Sequence, residues 1–496
     1  MTDLEQRATE YRALRASIEA AVLPLATSVD GRTFAFQARL HELDLRVGGY
    51  VVLEDVAGRR LGQVHSLGLV NEEAAAVEHG DADVRTQTRV FVRLARGVGA
   101  ILDGDGRPFH DALARPATPE EVGEWLARAA PRGARLEIGE LALASGVPFQ
   151  LDAEGFGRHT FLCGQSGSGK TYALGVVLER LLLETDLRIV ILDPNSDYVA
   201  LGRTRPGVEA ATAAGYADAT RTVTVRRDAD VDGRLSVRMR DLDPDQQAAL
   251  LRLDPIADRE EYAQLVELVA EARPGNLRDL DRSEHESARR LGTRGRNLGL
   301  DRWTLWVDPR TPSLADDVAN RDARCLVVDL GSLGSRAEQA LVAGTVLRTL
   351  WHRRAEREPI LLVVDEAHNV CPQLPEDALT ALATEEMIRI AGEGRKFGLY
   401  LLLATQRPQK LHENVLSQCD NLLLMRMNSA ADLGVVEQGF SFVPPGLLAC
   451  AGAFRLGEAL AAGRISSHPA LIRFGDRYSV EGGSDVEASW ARAGAR

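Results

Sequence analysis

Lysine is almost missing from this chain. Only Lys170, Lys396 and Lys410 occur, so arginine makes up the other 56 of its 59 basic residues. A GC-rich coding bias accounts for arginine wherever either cation serves; the surviving lysines then mark places where a compact ammonium outperforms a guanidinium fork. Long apolar runs are also absent. None reaches 18 residues, so no membrane span and no membrane partner is expected. The opening "MTDLEQRATEYRALRASIEAA" is charged and helical, without the architecture of a cleavable signal, and a cytoplasmic location is expected. The five cysteines, Cys163, Cys325, Cys371, Cys419 and Cys450, have no metal-ligand spacing and lie mostly in or beside apolar runs. Buried thiols in a reducing compartment are expected rather than disulfides or zinc. With a net charge of −13, a generally basic, DNA-coating surface is excluded. A small, locally basic channel for nucleic acid is not.

The texture divides the chain. Residues 1–23 have apolar positions at helical spacing, Leu4, Tyr11, Leu14, Ile18 and Val22. Residues 24–150 carry short β-rich runs broken by glycines, which predicts a small β-barrel or sandwich, with the barrel preferred. Within it "VGGYVVLEDVAGRRLGQV" predicts a hairpin, "TRVFVRLARGVGAIL" a second strand pair, and 118–131 a helix capped by a threonine. From 151 to 475 nearly continuous apolar runs at 160–163, 188–192, 325–329, 360–365, 399–404 and 421–425 predict strands of a parallel sheet buried on both faces. Helical segments between them predict a doubly wound α/β core. Residues 202–320, polar and rich in arginine, predict a mostly helical insertion. The glycine-rich segment 476–496 predicts a tail with a brief helix at its end.

Three motifs carry chemistry. "GQSGSGKT" fits G-x-x-x-x-G-K-[ST] between a strand and a helix. Backbone amides of Gly164, Gln165, Ser166, Gly167, Ser168 and Gly169 can wrap phosphates. Lys170 can reach the β- and γ-phosphates, Thr171 offers a hydroxyl to Mg²⁺, and Tyr172 follows them into the helix. In "ILLVVDEAHN" an apolar strand delivers Asp365 to its C-terminal end, beside the phosphate loop, as a metal-site carboxylate. Glu366 then suits a base that polarises the attacking water; its bland alternative is a turn cap. In "GEGRKFGLYLLLATQRP" the strand ends at Gln406, which is positioned to sense the γ-phosphate. Arg395 precedes that strand, on the side where a neighbouring subunit's nucleotide can be reached; its alternative, with Lys396, is a solvated turn.

Together with "ILDPNSDY", "LSQCDN" and "LLLMRMN", these motifs resemble the HerA/FtsK superfamily, most closely its HerA-like ATPases and DNA translocases, over most of 155–475. The resemblance implies an α/β P-loop NTPase core of the RecA-like, ASCE type. It also implies a hexameric ring with ATP sites between subunits and double-stranded DNA in the channel. Lys170, Thr171 and Asp365 then hold phosphate and Mg²⁺, Glu366 is the catalytic carboxylate, Gln406 the sensor and Arg395 the arginine finger. Arg426 matches a further basic position near the nucleotide. Asn195 and Asp197 depart from the family pattern. Arg407 and Lys410 are candidate DNA contacts, with a solvated basic turn as the alternative. Motors of this branch work with a nuclease in end processing or defence, and this chain carries no carboxylate–lysine cluster of its own for cutting. Two other functions fit the same motifs: an ATP-gated scaffold for an effector, and a soluble conjugation or secretion ATPase.

Overall fold

The computed structural model describes residues 3–21, 24–39, 44–79, 86–130, 133–228, 233–270 and 285–482. Helix α1 (Asp3–Ala21) leads into strands β1 (Leu25–Ser28), β2 (Thr33–Arg39), β3 (Tyr50–Asp55), β4 (Gly58–His79), β5 (Thr86–Asp103) and β6 (Phe109–Pro116). These strands close into a barrel in the order β1-β2-β5-β4-β3-β6, so none of its edges is left open. Alternate residues point inward, and Phe34, Phe36, Val51, Leu53, Val64 and Phe109 fill the barrel.

One expectation fails inside it. "TRVFVRLARGVGAIL" is a single stretch of β5, not a strand pair. Its glycines make no turn but leave room for aromatic rings. A Cβ on Gly97 would lie 2.1 Å from Phe36, and one on Gly99 would lie 2.5 Å from Phe34. The threonine-capped helix is present as α2 (Pro119–Ala129), where Thr118 and Glu121 form a reciprocal capping box.

The remaining strands are β7 (Arg135–Leu141), β8 (Pro148–Asp152), β9 (His159–Cys163), β10 (Arg188–Asp193), β11 (Val223–Arg226) and β12 (Cys325–Asp329). They continue with β13 (Ile360–Val364), β14 (Leu399–Thr405), β15 (Cys419–Met425), β16 (Glu458–Gly463) and β17 (Ala470–Phe474). All lie in one sheet, ordered β11-β12-β10-β13-β14-β9-β15-β16-β17-β7-β8. The run from β11 to β15 is parallel, and the rest is antiparallel. Strands β9, β10, β12 and β13 are buried at every position, as strands covered on both faces must be.

Two boundaries differ from expectation. Hairpin β7–β8, grouped by sequence with the barrel, extends the motor sheet through β17. Its Leu136, Ile138, Phe149 and Leu151 share a core with helix α3 (Lys170–Glu184). The interval 202–320 is largely helical but also supplies β11, a parallel edge strand on β12. The short helix expected near the C-terminus, over 485–496, lies outside the described residues.

The barrel docks firmly on the sheet. Tyr50 of β3 shares a 2.7 Å hydrogen bond with His468, in the turn between β16 and β17. Trp125 of α2 meets the same ring edge-on at 4.9 Å. Gln63 of β4 donates its side-chain amide to the carbonyl of Pro469.

Candidate nucleotide site

Strand β9 ends at Cys163, and the chain turns through Gly164–Gly169 into α3. Two positions of that turn require glycine: Gly167 and Gly169 have φ of 72° and 91°, in the left-handed region. The loop is anchored from outside itself. Gln165 N–H donates to the carbonyl of Arg426, Asn428 N–H to the Gln165 side chain, and Gly457 N–H to the carbonyl of Ser168. Arg426 in turn donates from Nη2 to the Gly167 carbonyl at 2.9 Å. Ser166 is exposed, whereas Ser168 is buried with its hydroxyl unpartnered among the described residues.

Asp365 follows β13, which pairs with β14; β14 in turn pairs with β9 and so lies between the acid-bearing strand and the strand of the phosphate loop. Gln406, just past the end of β14, is thereby inserted between the phosphate loop and the two acids. An extra strand between phosphate loop and acid strand is the ASCE arrangement that the family resemblance implied.

Lys170 ties these parts together. Its ammonium is ion-paired with Asp365 and stands 3.2 Å from Glu366 Oε1, with all three side chains buried. Burial works against its charge, but the two carboxylates more than compensate and raise its pKa. Glu366 sits at φ 44°, a strained region for a residue with a side chain, and its surroundings hold it there. Gln406 Nε2 donates to Glu366 Oε1 at 2.8 Å, and Gln406 N–H reaches Oε2 at 3.4 Å. His368 Nδ1 lies 3.3 Å from the same Oε2.

The turn after β10 adds a group that sequence reasoning left open. Asp193 is wholly buried and accepts backbone N–H bonds from Asn195, Asp197 and Tyr198, so it shapes this turn. The turn aims Asp197 at Thr171, whose hydroxyl donates to Asp197 Oδ2 at 3.5 Å. Burial, opposed by those N–H bonds, lifts the pKa of Asp193 to about 7. Burial and the nearby Asp365 lift that of Asp197 to about 6. Asp197, one of the two positions that depart from the family pattern, thus stands within reach of Thr171.

The residues present fit a magnesium-bound nucleotide. Asp365 uses Oδ1 for Lys170 and for Glu366 N–H, while its buried Oδ2 has no partner among the described residues. An orphaned, buried carboxylate oxygen on the acid that pairs with Lys170, the residue before Thr171, suits a hard cation. The described residues contain no cluster of three or more His, Cys, Asp or Glu side chains able to hold a metal alone. Magnesium carried by a nucleotide needs only one or two protein ligands, the phosphates and water supplying the rest.

Arg395 lies elsewhere. It precedes β14, whereas Gln406 follows it, so the seven residues of that strand separate them. At about 3.3 Å per residue this is over 20 Å, beyond the reach of one side chain. Arg395 donates to Asp420 Oδ2 at 2.7 Å. Arg407 and Lys410 are exposed on the turn beyond Gln406, and Tyr172 accepts an N–H bond from Arg477 through its hydroxyl.

The segment expected as a tail is partly a strap. Glu179 of α3, fully buried, accepts N–H bonds from Tyr478 and Ser479, and Gly482 N–H donates to the Asp197 carbonyl. Arg477 is buried under α3, with its Nη1 directed at the Thr171 carbonyl. The thiols of Cys163, Cys325, Cys371 and Cys419 are buried, Cys450 is half-buried, and all are free. No helix among the described residues is long and apolar enough to cross a membrane.

The chain is similar to several known proteins. Residues 136–289 match the family described as Helicase HerA, central domain. The chain is 25% identical over 407 residues to the DNA double-strand break repair helicase HerA of Pyrococcus furiosus, covering 68% of this chain and 69% of that one. It is 24% identical over 469 residues to HerA of Saccharolobus solfataricus, covering 88% of each. Among solved structures, VirB4 of Thermoanaerobacter pseudethanolicus is similar at 16% identity and a TM-score of 0.49, covering 70% of this chain and 97% of that one.

Proposed function

We propose that this HerA-like ATPase forms a ring that hydrolyses ATP between subunits and drives double-stranded DNA through its centre. In this reading it works with a separate nuclease or other effector, in DNA end processing or in defence against foreign DNA. The observation that carries the reading is the separation of Arg395 from Lys170, Asp365, Glu366 and Gln406 by the length of β14. A finger at the opposite end of the sheet can serve only the nucleotide of another copy. That is the arrangement a ring with shared sites requires.

Within one site the division of labour follows from charge. Lys170 neutralises the β- and γ-phosphates, and Thr171 and Asp365 would hold a Mg²⁺ brought by the nucleotide, which would supply charge stabilisation for the transferred phosphoryl group. Glu366 orients the attacking water, Gln406 reports the γ-phosphate, and Arg395 of the neighbouring copy stabilises the transition state. Arg426, which follows β15 and bonds to the phosphate loop from outside, is a further nucleotide contact. Arg407 and Lys410 face phosphates of the DNA backbone.

Mass measurement with and without ATP and duplex DNA tests the assembly. A discrete ring is expected, most simply a hexamer, and a monomer under every condition would remove the reading.

A further inference from the structure

Both oxygens of Glu366 are engaged. Oε1 faces Lys170 at 3.2 Å and Gln406 Nε2 at 2.8 Å; Oε2 faces Gln406 N–H at 3.4 Å and His368 Nδ1 at 3.3 Å. Protein groups thus crowd each of its oxygens, so a water reaching either must compete with them. Whatever loosens one of these partners governs when Glu366 can act. Lys170 answers to the nucleotide. His368 answers to something else.

His368 lies in a short 3-10 turn, Ala367–Asn369, directly after Glu366. Its Nδ1 is 2.9 Å from Thr405 Oγ1 as well as 3.3 Å from Glu366 Oε2. The ring is hydrogen-bonded to Thr405 and stands against the Glu366 carboxylate without a hydrogen bond of its own to it. Thr405 Oγ1 also accepts the N–H of Arg407 at 3.0 Å. One hydroxyl therefore joins the ring beside the catalytic acid to the backbone of an exposed arginine.

The connection continues outward. Lys410 N–H donates to the Arg407 carbonyl, Gln373 N–H to the Lys410 carbonyl, and His412 N–H to the Cys371 carbonyl. Glu413 N–H donates to the Gln373 side chain. Segments 367–373 and 405–413 are thus stitched along their length, with Glu366 at the buried end and two exposed cations, Arg407 and Lys410, at the other. Burial lowers the His368 pKa, Glu366 opposes this, and Arg407 and Lys410 lower it further. The ring thus lies within electrostatic reach of both ends.

We propose that His368 is a positioning residue that links the Arg407–Lys410 turn to Glu366, so that nucleic-acid phosphates docking on that turn release the acid for hydrolysis. This rests on Glu366 being the catalytic carboxylate. A phosphate on Arg407 or Lys410 shifts the Arg407 backbone, Thr405 Oγ1 loses or tightens its bond to it, and His368 moves relative to Oε2. Glu366 then exchanges a protein partner for water. No covalent change in His368 is required.

The test uses the full chain and measures ATP hydrolysis with and without duplex DNA. His368→Ala is expected to cut the DNA-stimulation ratio at least about fivefold, leaving the KM for ATP within about twofold. His368→Asn, whose amide can occupy the place of Nδ1, is expected to keep at least half of the ratio. His368→Phe, which fills space without the bond, is expected to behave as the alanine variant. Thr405→Val removes the same link from the other side, so its effect is expected not to add to that of His368→Ala. If the histidine variants fail to fold, the threonine variant alone decides. Undiminished stimulation in His368→Ala or Thr405→Val, or phenylalanine equalling asparagine, would overturn the proposal. Glu366→Gln separates the two levels: if it keeps turnover, the underlying assignment fails. If it abolishes turnover while His368→Ala keeps the full ratio, only the coupling fails.

Discussion

Arg395 donates from Nη1 to Asp420 Oδ2 at 2.7 Å, and Arg158 reaches the same carboxylate at 3.4 Å. All three side chains are partly open to solvent, so either pair contributes less than about 1 kcal/mol. That is a weak hold. A phosphate of a neighbouring copy, carrying more charge, can take Arg395 from Asp420 at little cost.

Mixing experiments test this directly. Rings of Arg395→Ala alone and of Glu366→Gln alone are expected to be nearly inactive. Mixed rings are expected to regain turnover, because some sites then receive an intact acid from one copy and an intact arginine from the next. Lack of recovery at every mixing ratio, with rings still formed, contradicts a finger acting between subunits.

Lys170 is buried and its charge is balanced by Asp365 and Glu366. Lys170→Ala removes the phosphate contact and leaves two buried carboxylates facing each other. Turnover is expected to fall at least about a hundredfold, measured as phosphate release under saturating ATP. Turnover within threefold of the wild type would remove the assigned site.

The strap predicts a stability effect remote from the phosphates. A Cβ on Gly175 would stand 2.5 Å from the guanidinium carbon of buried Arg477, which bonds to buried Ser479 and to Glu481 at the surface. Gly175→Ala is expected to cost about 1–3 kcal/mol by overpacking, read as a lower thermal midpoint. Arg477→Ala is expected to add less than its separate effect, since both changes displace the same side chain. Strict additivity would show that the two residues act apart.

His468 gives the barrel contact a pH dependence. Burial, with a smaller contribution from His65, holds its pKa at about 3, below the ordinary 6.5. The unfolded chain therefore takes up this proton first. The stability contribution is complete above pH 6.5 and is lost progressively as pH falls toward 3. Between pH 7 and pH 5 the loss from this residue is about 2 kcal/mol. Denaturation at both pH values is expected to show it in the wild type and to show a smaller loss in His468→Gln. Equal losses in the two proteins would contradict the burial argument.

The legible parts of the sequence were those whose local pattern determines their environment. The continuous apolar runs ending at Cys163, Asp365 and Thr405 became buried parallel strands because a strand covered on both faces has no polar alternation to display. "GQSGSGKT" needed only a strand before it and a helix after it. Strand β11 escaped notice because it is four half-buried residues at a sheet edge, inside an arginine-rich stretch. Hairpin β7–β8 was grouped with the wrong neighbour because its partner, β17, lies over 300 residues away. His368 stood in a quoted motif without a role, since its meaning depends on Thr405, a residue of another strand. The two lysines outside the phosphate loop, Lys396 and Lys410, are both exposed in short 3-10 turns, one at each end of β14.

The central claim is that ATP hydrolysis at Lys170 and Glu366 is coupled to DNA. The most direct measurement is the steady-state ATPase rate of the full chain at saturating ATP, with and without linear duplex DNA, at two salt concentrations. The expected result is a rate raised at least severalfold by DNA, with the stimulation diminishing as salt weakens phosphate contacts. A rate indifferent to duplex DNA at both salt concentrations, in protein that hydrolyses ATP, would contradict the account and favour an ATP-gated scaffold.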